Sequence, residues 1–147
     1  MNQAFILAKR ALSHDDVPIG AVIVKDSKII ARGENRVQKS KNPTLHAEIV
    51  AINRACKKLG TKFLDDCDIY VTLEPCSMCA TAISFARIRN IYFAATDEKG
   101  GGITSNARVY DTDRHLWLPA VRQLPEFADE SAELLRTFFS KRRKKSE

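Results

Sequence analysis

Apolar positions recur at helical spacing near both ends of the chain and in short β-branched runs between them. Over residues 2–13, Phe5, Ala8 and Leu12 share one stripe at intervals of three and four, flanked by Ala4, Ile6 and Ala11. That spacing predicts an amphipathic helix. Val17-Pro18-Ile19-Gly20 ends it. Ala21-Val22-Ile23-Val24, a turn at Lys25-Asp26-Ser27-Lys28 and a return strand from Ile29-Ile30-Ala31 predict a β-hairpin. Residues 32–42 are polar, and we read them as a connecting loop free to line a site.

A second helix is expected to begin near Pro43-Thr44, with Asn42 as its cap and Pro43 in its first turn. Leu45, Ile49, Ile52, Cys56 and Leu59 repeat at four, three, four and three, which predicts a core-facing stripe that Gly60 ends. Asp68–Leu73 reads as a strand stopped by Glu74-Pro75, and the helix after it should bury Met78, Ala82 and Phe85 in the core or, as the other reading, in a dimer contact. Asn90–Ala95 holds another strand, and Lys99-Gly100-Gly101-Gly102 reads as a flexible loop. Residues 103–120 carry no clear period, and Trp117 among them is read as core ahead of a base-stacking surface or a dimer contact. Val121–Leu124 fits a last strand. Glu126–Phe139 fits a helix with Phe127, Leu134, Leu135, Phe138 and Phe139 as its apolar positions, running into a basic tail at about 140–147. Helix, hairpin, then alternating helix and strand predict an α/β fold: a three-layer α/β/α sandwich with a central mixed five-stranded sheet, formed by residues 1–147 as one domain.

Composition narrows the setting. At 147 residues, 44% hydrophobic and 29% charged, the chain is long enough for a core and reads as soluble and globular. No apolar run approaches the roughly 18 residues of a membrane span. Phe5-Ile6-Leu7 precedes Lys9-Arg10, the reverse of a secretory signal, so a cytoplasmic location is expected. In a reducing compartment the four cysteines, Cys56, Cys67, Cys76 and Cys79, point to metal binding more than to disulfides, with Cys56 and Cys67 expected as buried thiols. A net charge of +6, with five basic residues at Lys141–Lys145, is compatible with an anionic partner or with a solvated end.

Two short stretches carry the chemistry: His46-Ala47-Glu48 and Pro75-Cys76-Ser77-Met78-Cys79. Two thiols two residues apart can grip one tetrahedral ion, and a distant histidine can supply a third ligand. Zinc with three protein ligands keeps a fourth position open for water, unlike a closed structural site. Glu48 is placed to move protons to and from that water. Residues two apart on a regular helix point roughly 200° apart, so His46 and Glu48 can address one target only from a helix start. Pro75 suits a first helical turn, so Cys76 and Cys79 should also sit at a helix start, whose positive end favours thiolates. Other readings remain open at this point. A redox dithiol would leave His46 and Glu48 unexplained. A structural zinc site would want a fourth ligand, for which Cys67, His14 and His115 are candidates, none at ligand spacing. A binding-only module would not need Glu48.

The H-x-E…P-C-x-x-C pattern is a described signature of zinc-dependent nucleobase deaminases. Here the chain resembles the cytidine deaminase-like superfamily and, within it, the bacterial tRNA-specific adenosine deaminases. The likeness spans Val17-Pro18-Ile19-Gly20-Ala21-Val22-Ile23, Gly33-Glu34-Asn35-Arg36, Asn42–Ile49, Tyr70–Ala80 and Glu133–Phe139 with the basic residues after it. Leu45 and Thr81 depart from the commoner small residue and glycine, and 103–120 match poorly. The resemblance implies that His46, Cys76 and Cys79 ligate Zn2+ and that Glu48 is the proton shuttle. It implies that Asn35 and the backbone near Ala47 contact the nucleoside, and that Phe138 and the basic end contact RNA. It implies a homodimer acting on the wobble adenosine of a tRNA anticodon stem-loop; the hydrolytic chemistry needs no organic cofactor, and no membrane partner is expected. Free nucleobase deaminases of guanine or cytosine type share the metal motifs and stand as the alternative.

Overall fold

The computed structural model describes residues 1–112 and 116–147. Helix α1 (Asn2–Leu12) leads into a hairpin of β1 (Gly20–Lys25) and β2 (Lys28–Glu34). Asp26 and Ser27 both take left-handed backbone angles, φ 49° and 62°, the twist that a two-residue hairpin turn needs. After a short helix α2 (Val37–Ser40), α3 (Ala47–Leu59) crosses to β3 (Asp68–Leu73). Helix α4 (Ser77–Phe85) then joins β3 to β4 (Asn90–Ala95). Edge strand β5 (Ala120–Gln123) and a 3₁₀ turn at Pro125–Phe127 precede α5 (Ala128–Ser146).

The sheet runs β2-β1-β3-β4-β5, with β1 antiparallel to β2 and β3, and β3, β4 and β5 parallel. Helices α1 and α5 pack on one face of this mixed sheet and α3 and α4 on the other, the three-layer arrangement expected. No helix among the described residues is long and apolar enough to cross a membrane.

Two glycines set how closely the layers approach. A Cβ on Gly20 would lie 2.0 Å from the Ala4 carbonyl oxygen, and one on Gly33 would lie 2.4 Å from that of Ala47. Each helix therefore rests its backbone on a strand, and the residues at the contact are small: Ala4, Ala8 and Ala11 on α1, Ala47, Ala51 and Ala55 on α3. This corrects several expected faces. On α1, Phe5 and Leu7 are buried while Leu12 and Ile6 are exposed. On α3, Ile52 is buried, but Ile49, Cys56 and Leu59 are only half-buried, as is Leu45 just before the helix, though Cys56 and Leu59 still pack against the core. On α4, Cys79, Ala80, Ile83 and Ser84 face inward, leaving Met78 36% and Phe85 69% exposed.

Other expectations also change. The polar stretch 32–42 contains the end of β2 and helix α2, because Asp16 accepts N–H hydrogen bonds from Gln38 (2.7 Å) and Lys39 (3.2 Å). Lys99–Gly102 is no loose loop, since Gly101, Gly102 and Ile103 are buried. Trp117 is not core. It precedes a largely exposed edge strand, is 45% exposed, and sits with the Arg87 guanidinium 5.6 Å from its ring. The basic end is not a separate tail but the last turns of α5. Arg142 donates to the Asp15 carbonyl at 2.8 Å and lies 4.8 Å above the Phe138 ring, which ties those turns to the body.

Candidate metal centre

Helix α3 starts later than its sequence suggests. Asn42 precedes Pro43, which disfavours helical backbone there, and its Oδ1 accepts from the Thr44 N–H (2.9 Å) and hydroxyl (2.8 Å). Asn42 thus caps a turn rather than the helix. The N-cap is His46, in extended backbone (φ −66°, ψ 157°), whose carbonyl takes the first helical bond from Val50. Cys76 repeats the geometry at the start of α4 (φ −68°, ψ 173°). Two helix N-termini therefore converge on one point and bring their positive ends with them.

At that point His46 Nδ1 lies 3.6 Å from Cys76 Sγ and 3.6 Å from Cys79 Sγ. These three donor atoms lie within 4.8 Å of one another and form a group able to hold a metal ion. No other such group is found among the described residues. Of the other candidate ligands, His14 bonds to Asp16 instead, and His115 lies outside the described residues. Cys67 is a structural thiol that burial pushes up to about 12.

Charge at the site is shared unevenly. A hydrogen bond from Cys79, helped by His46 and opposed by burial, holds the Cys76 thiol down to about 4. The same pairing, with burial, pushes Cys79 far up. The bond to Cys76 raises His46 against the effect of burial. Metal ligands must be thiolates and neutral imidazoles, so a cation binding here releases the protons that the group holds. Glu48, 4% exposed, faces this cluster from the first turn of α3. Burial above all, with the Cys76 charge adding, lifts its carboxyl above the usual range.

Asn35 is buried at the end of the hairpin, and its Oδ1 accepts the Ala47 N–H at 2.8 Å. That bond fixes the amide's orientation and leaves Nδ2 as the side able to donate elsewhere. It also occupies the Ala47 N–H, whose contribution to a pocket is thus indirect. Phe138 is not brought to this centre. It lines a groove between α1 and α5 with Leu12 and Leu134, is 6% exposed, and packs edge-on against its more exposed neighbour Phe139.

One residue escaped the sequence reading. Glu74, at the buried end of β3 and 2% exposed, accepts from the backbone N–H groups of Asp97, Ile103, Thr104 and Ser105 and from the Ser105 hydroxyl. No periodicity marks it. The only local signal is a charged residue directly before Pro-Cys.

The whole arrangement is similar to proteins already described. A family profile described as MafB19-like deaminase matches residues 1–143. The tRNA-specific adenosine deaminase of Agrobacterium fabrum is 48% identical over 144 residues, 97% of this chain and 93% of its own. A solved structure from work on A-to-I editing by tRNA deaminases at the wobble position superposes with a TM-score of 0.88. It is 47% identical and aligns over 92% of this chain and 97% of its own. The guanine deaminase of Bacillus subtilis is 48% identical over 99 residues, 66% of this chain and 64% of its own.

Proposed function

We infer the activity from one established premise: the chain belongs to the MafB19-like deaminase family and, within it, to the tRNA-specific adenosine deaminases. It removes the 6-amino group of the wobble adenosine in a tRNA anticodon loop by hydrolysis, producing inosine and ammonia. The observation that carries this reading is near full-length likeness to tRNA deaminases together with a buried carboxyl against a His-Cys-Cys group.

The cation is zinc, held by His46, Cys76 and Cys79. With Zn–S near 2.3 Å and Zn–N near 2.0–2.1 Å at the tetrahedral angle, a sulfur and an imidazole nitrogen lie about 3.6 Å apart. The 3.6 Å separations of His46 Nδ1 from the two sulfurs fit that ion. Zinc bound there supplies a nucleophile at neutral pH, by lowering the pKa of water from about 15.7 to about 7.

The chain's own residues do the rest. Glu48 takes a proton from the attacking water and delivers it to N1 of the adenine ring, which makes C6 electrophilic. The water oxygen bonds to C6. Glu48 then carries the second proton to the amino group, the C6–N bond breaks and ammonia leaves. Burial of Glu48 suits a group that must be neutral at one moment and charged at the next. Asn35 Nδ2 donates to the nucleoside while Oδ1 stays locked to Ala47. No organic cofactor takes part.

Residues 1–147 act as one deaminase domain in the cytoplasm, as a homodimer that binds the anticodon stem-loop. Lys141, Arg143, Lys144 and Lys145 are exposed on the last turns of α5 and meet the RNA phosphates. With Phe138 buried, base stacking at this end falls to Phe139.

A free-base deaminase of guanine type is the second reading, and the 99-residue likeness to guanine deaminase favours it. That likeness covers 66% of the chain, against 97% for the tRNA enzyme. Ammonia release separates the two: it is expected with a wobble-adenosine stem-loop and absent with free adenine, guanine or cytosine. Turnover of a free base with no activity on the stem-loop would reject the tRNA assignment.

A further inference from the structure

We propose that Glu74 is a positioning residue for the metal centre, acting through residues 97–105, which its carboxylate folds into a cage that braces the backbone of Cys76 and Ser77. This rests on the metal-centre reading above.

The cage is built from the chain's own amides. Oε2 of Glu74 accepts three consecutive N–H groups, from Ile103 (3.1 Å), Thr104 (2.9 Å) and Ser105 (3.1 Å). Oε1 accepts the Asp97 N–H (3.1 Å) and the Ser105 hydroxyl (2.5 Å). Successive backbone N–H groups of this kind form an anion-binding concavity. Here the anion is a side chain two residues before a metal ligand. Burial opposes its charge, yet the Ser105 hydroxyl and the surrounding N–H groups outweigh burial and keep the carboxyl below its usual range.

What the cage does is hold two glycines against the ligand's backbone. Gly101 forms an antiparallel bridge with Cys76, and the Gly102 N–H donates to the Pro75 carbonyl at 2.8 Å. A Cβ on Gly101 would lie 2.4 Å from Glu74 Oε2, and one on Gly102 would lie 2.4 Å from the Ser77 nitrogen and 2.6 Å from the Cys76 carbonyl carbon. Neither position has room for a side chain. The same segment is pinned downstream, where Val109 N–H bonds the Gly102 carbonyl and the Tyr110 hydroxyl donates to the Ala80 carbonyl on α4 at 2.6 Å. Glu74 therefore fixes a loop that fixes the Cys76 N-cap, and with it the Sγ that must meet Cys79 and His46.

Glu74→Gln tests this. The amide would set its own N–H groups against donors that now converge on an oxygen, while the side chain keeps its length. The variant, shown folded by circular dichroism, is expected to lose 10–100-fold in zinc affinity in competition with a chromogenic chelator, the range for groups that orient metal ligands from behind. Amide exchange at Gly101–Ser105 should accelerate in the same sample. Val22→Ala, a core change elsewhere with a comparable loss of melting temperature, should alter neither. Where Glu74→Gln does not fold, Gly102→Ala replaces it, since its Cβ displaces the loop from Cys76 with the carboxylate intact, and at least a 10-fold loss is again expected. Zinc affinity within twofold of the wild type in the folded variant overturns the assignment. A wild-type chain that binds no zinc overturns the metal-centre reading, and this one falls with it.

Discussion

Glu48 and Asn35 both sit beside the metal group, but they are bound into it differently. Glu48 lies outside the group of donor atoms that His46, Cys76 and Cys79 form. Glu48→Ala is therefore expected to hold about one zinc per chain and to lose roughly 10²–10⁴-fold in turnover, more if it acts at both proton transfers. Elemental analysis alongside ammonia release checks this, and loss of the metal would reject the role. Asn35 carries a structural duty as well. Its Oδ1 is the acceptor for the buried Ala47 N–H at the start of α3. Asn35→Ala leaves that donor unsatisfied, at a cost of about 1–3 kcal/mol, so urea unfolding should register it along with any rise in KM. A variant with unchanged stability would mean that the bond contributes nothing to the fold.

Elements meet through glycine contacts, and the two contacts have different consequences. Gly33→Ala drives a Cβ into the Ala47 carbonyl oxygen and the Ala51 nitrogen, at 2.4 and 2.7 Å. Because α3 begins at the site, the displacement should weaken zinc binding as well as stability. Gly20→Ala does the same to α1 on the far face of the sheet, so it should destabilise without loosening the metal. Overpacking of this kind costs about 1–3 kcal/mol or more. Melting temperature and chelator competition on the pair decide between these outcomes.

The junction of α1 with α2 responds to acid. Burial resists the charge on Asp16, but the Gln38 N–H, the His14 ring and the Lys39 N–H prevail and hold its pKa below 3.8. A carboxyl with a lower pKa in the folded state than in the unfolded one stabilises fully above the unfolded value, and that stabilisation is lost as pH falls through the folded value. Asp16→Asn should therefore be less stable near neutrality, and its stability should fall less steeply below about pH 4. Urea midpoints across that range measure the difference.

At the scale of the whole molecule, the exposed side of α4 is what a single copy leaves uncovered. Met78, Ala82 and Phe85 form an apolar strip continuous with Ile52 and Cys56 of α3. Phe85 is the most exposed large apolar residue described, at 69%. Homodimerisation through this strip predicts a light-scattering mass near twice the 16.5 kDa of one chain. Phe85→Glu should halve it, because a carboxylate cannot be buried unpaired at the centre of such a face. A monomeric wild type would exclude the dimer. The strip lies on the same helix as Cys79, which faces inward while Met78 faces out.

The candidate metal group of His46, Cys76 and Cys79, the place of Glu48 at a helix start, the hairpin and the stop at Gly60 were legible from residue order. Each rests on neighbours a few positions away: a cap, a turn pair, a proline before a helix, a glycine at φ +65°. The order of helices and strands likewise sufficed for the three-layer sheet. Which face each helix buries was not legible. Leu45, Ile49, Cys56 and Leu59 have the better helical period, yet Ala47, Ala51 and Ala55 meet the sheet, because Gly33 on another strand removes the side chain that would have held the helix off. Glu74 was invisible for the same reason, since its donors lie 23–31 residues further along the chain. Local chemistry is carried by sequence neighbours. Burial and the closing of a polar cage depend on which distant backbone arrives, and only the assembled sheet decides that.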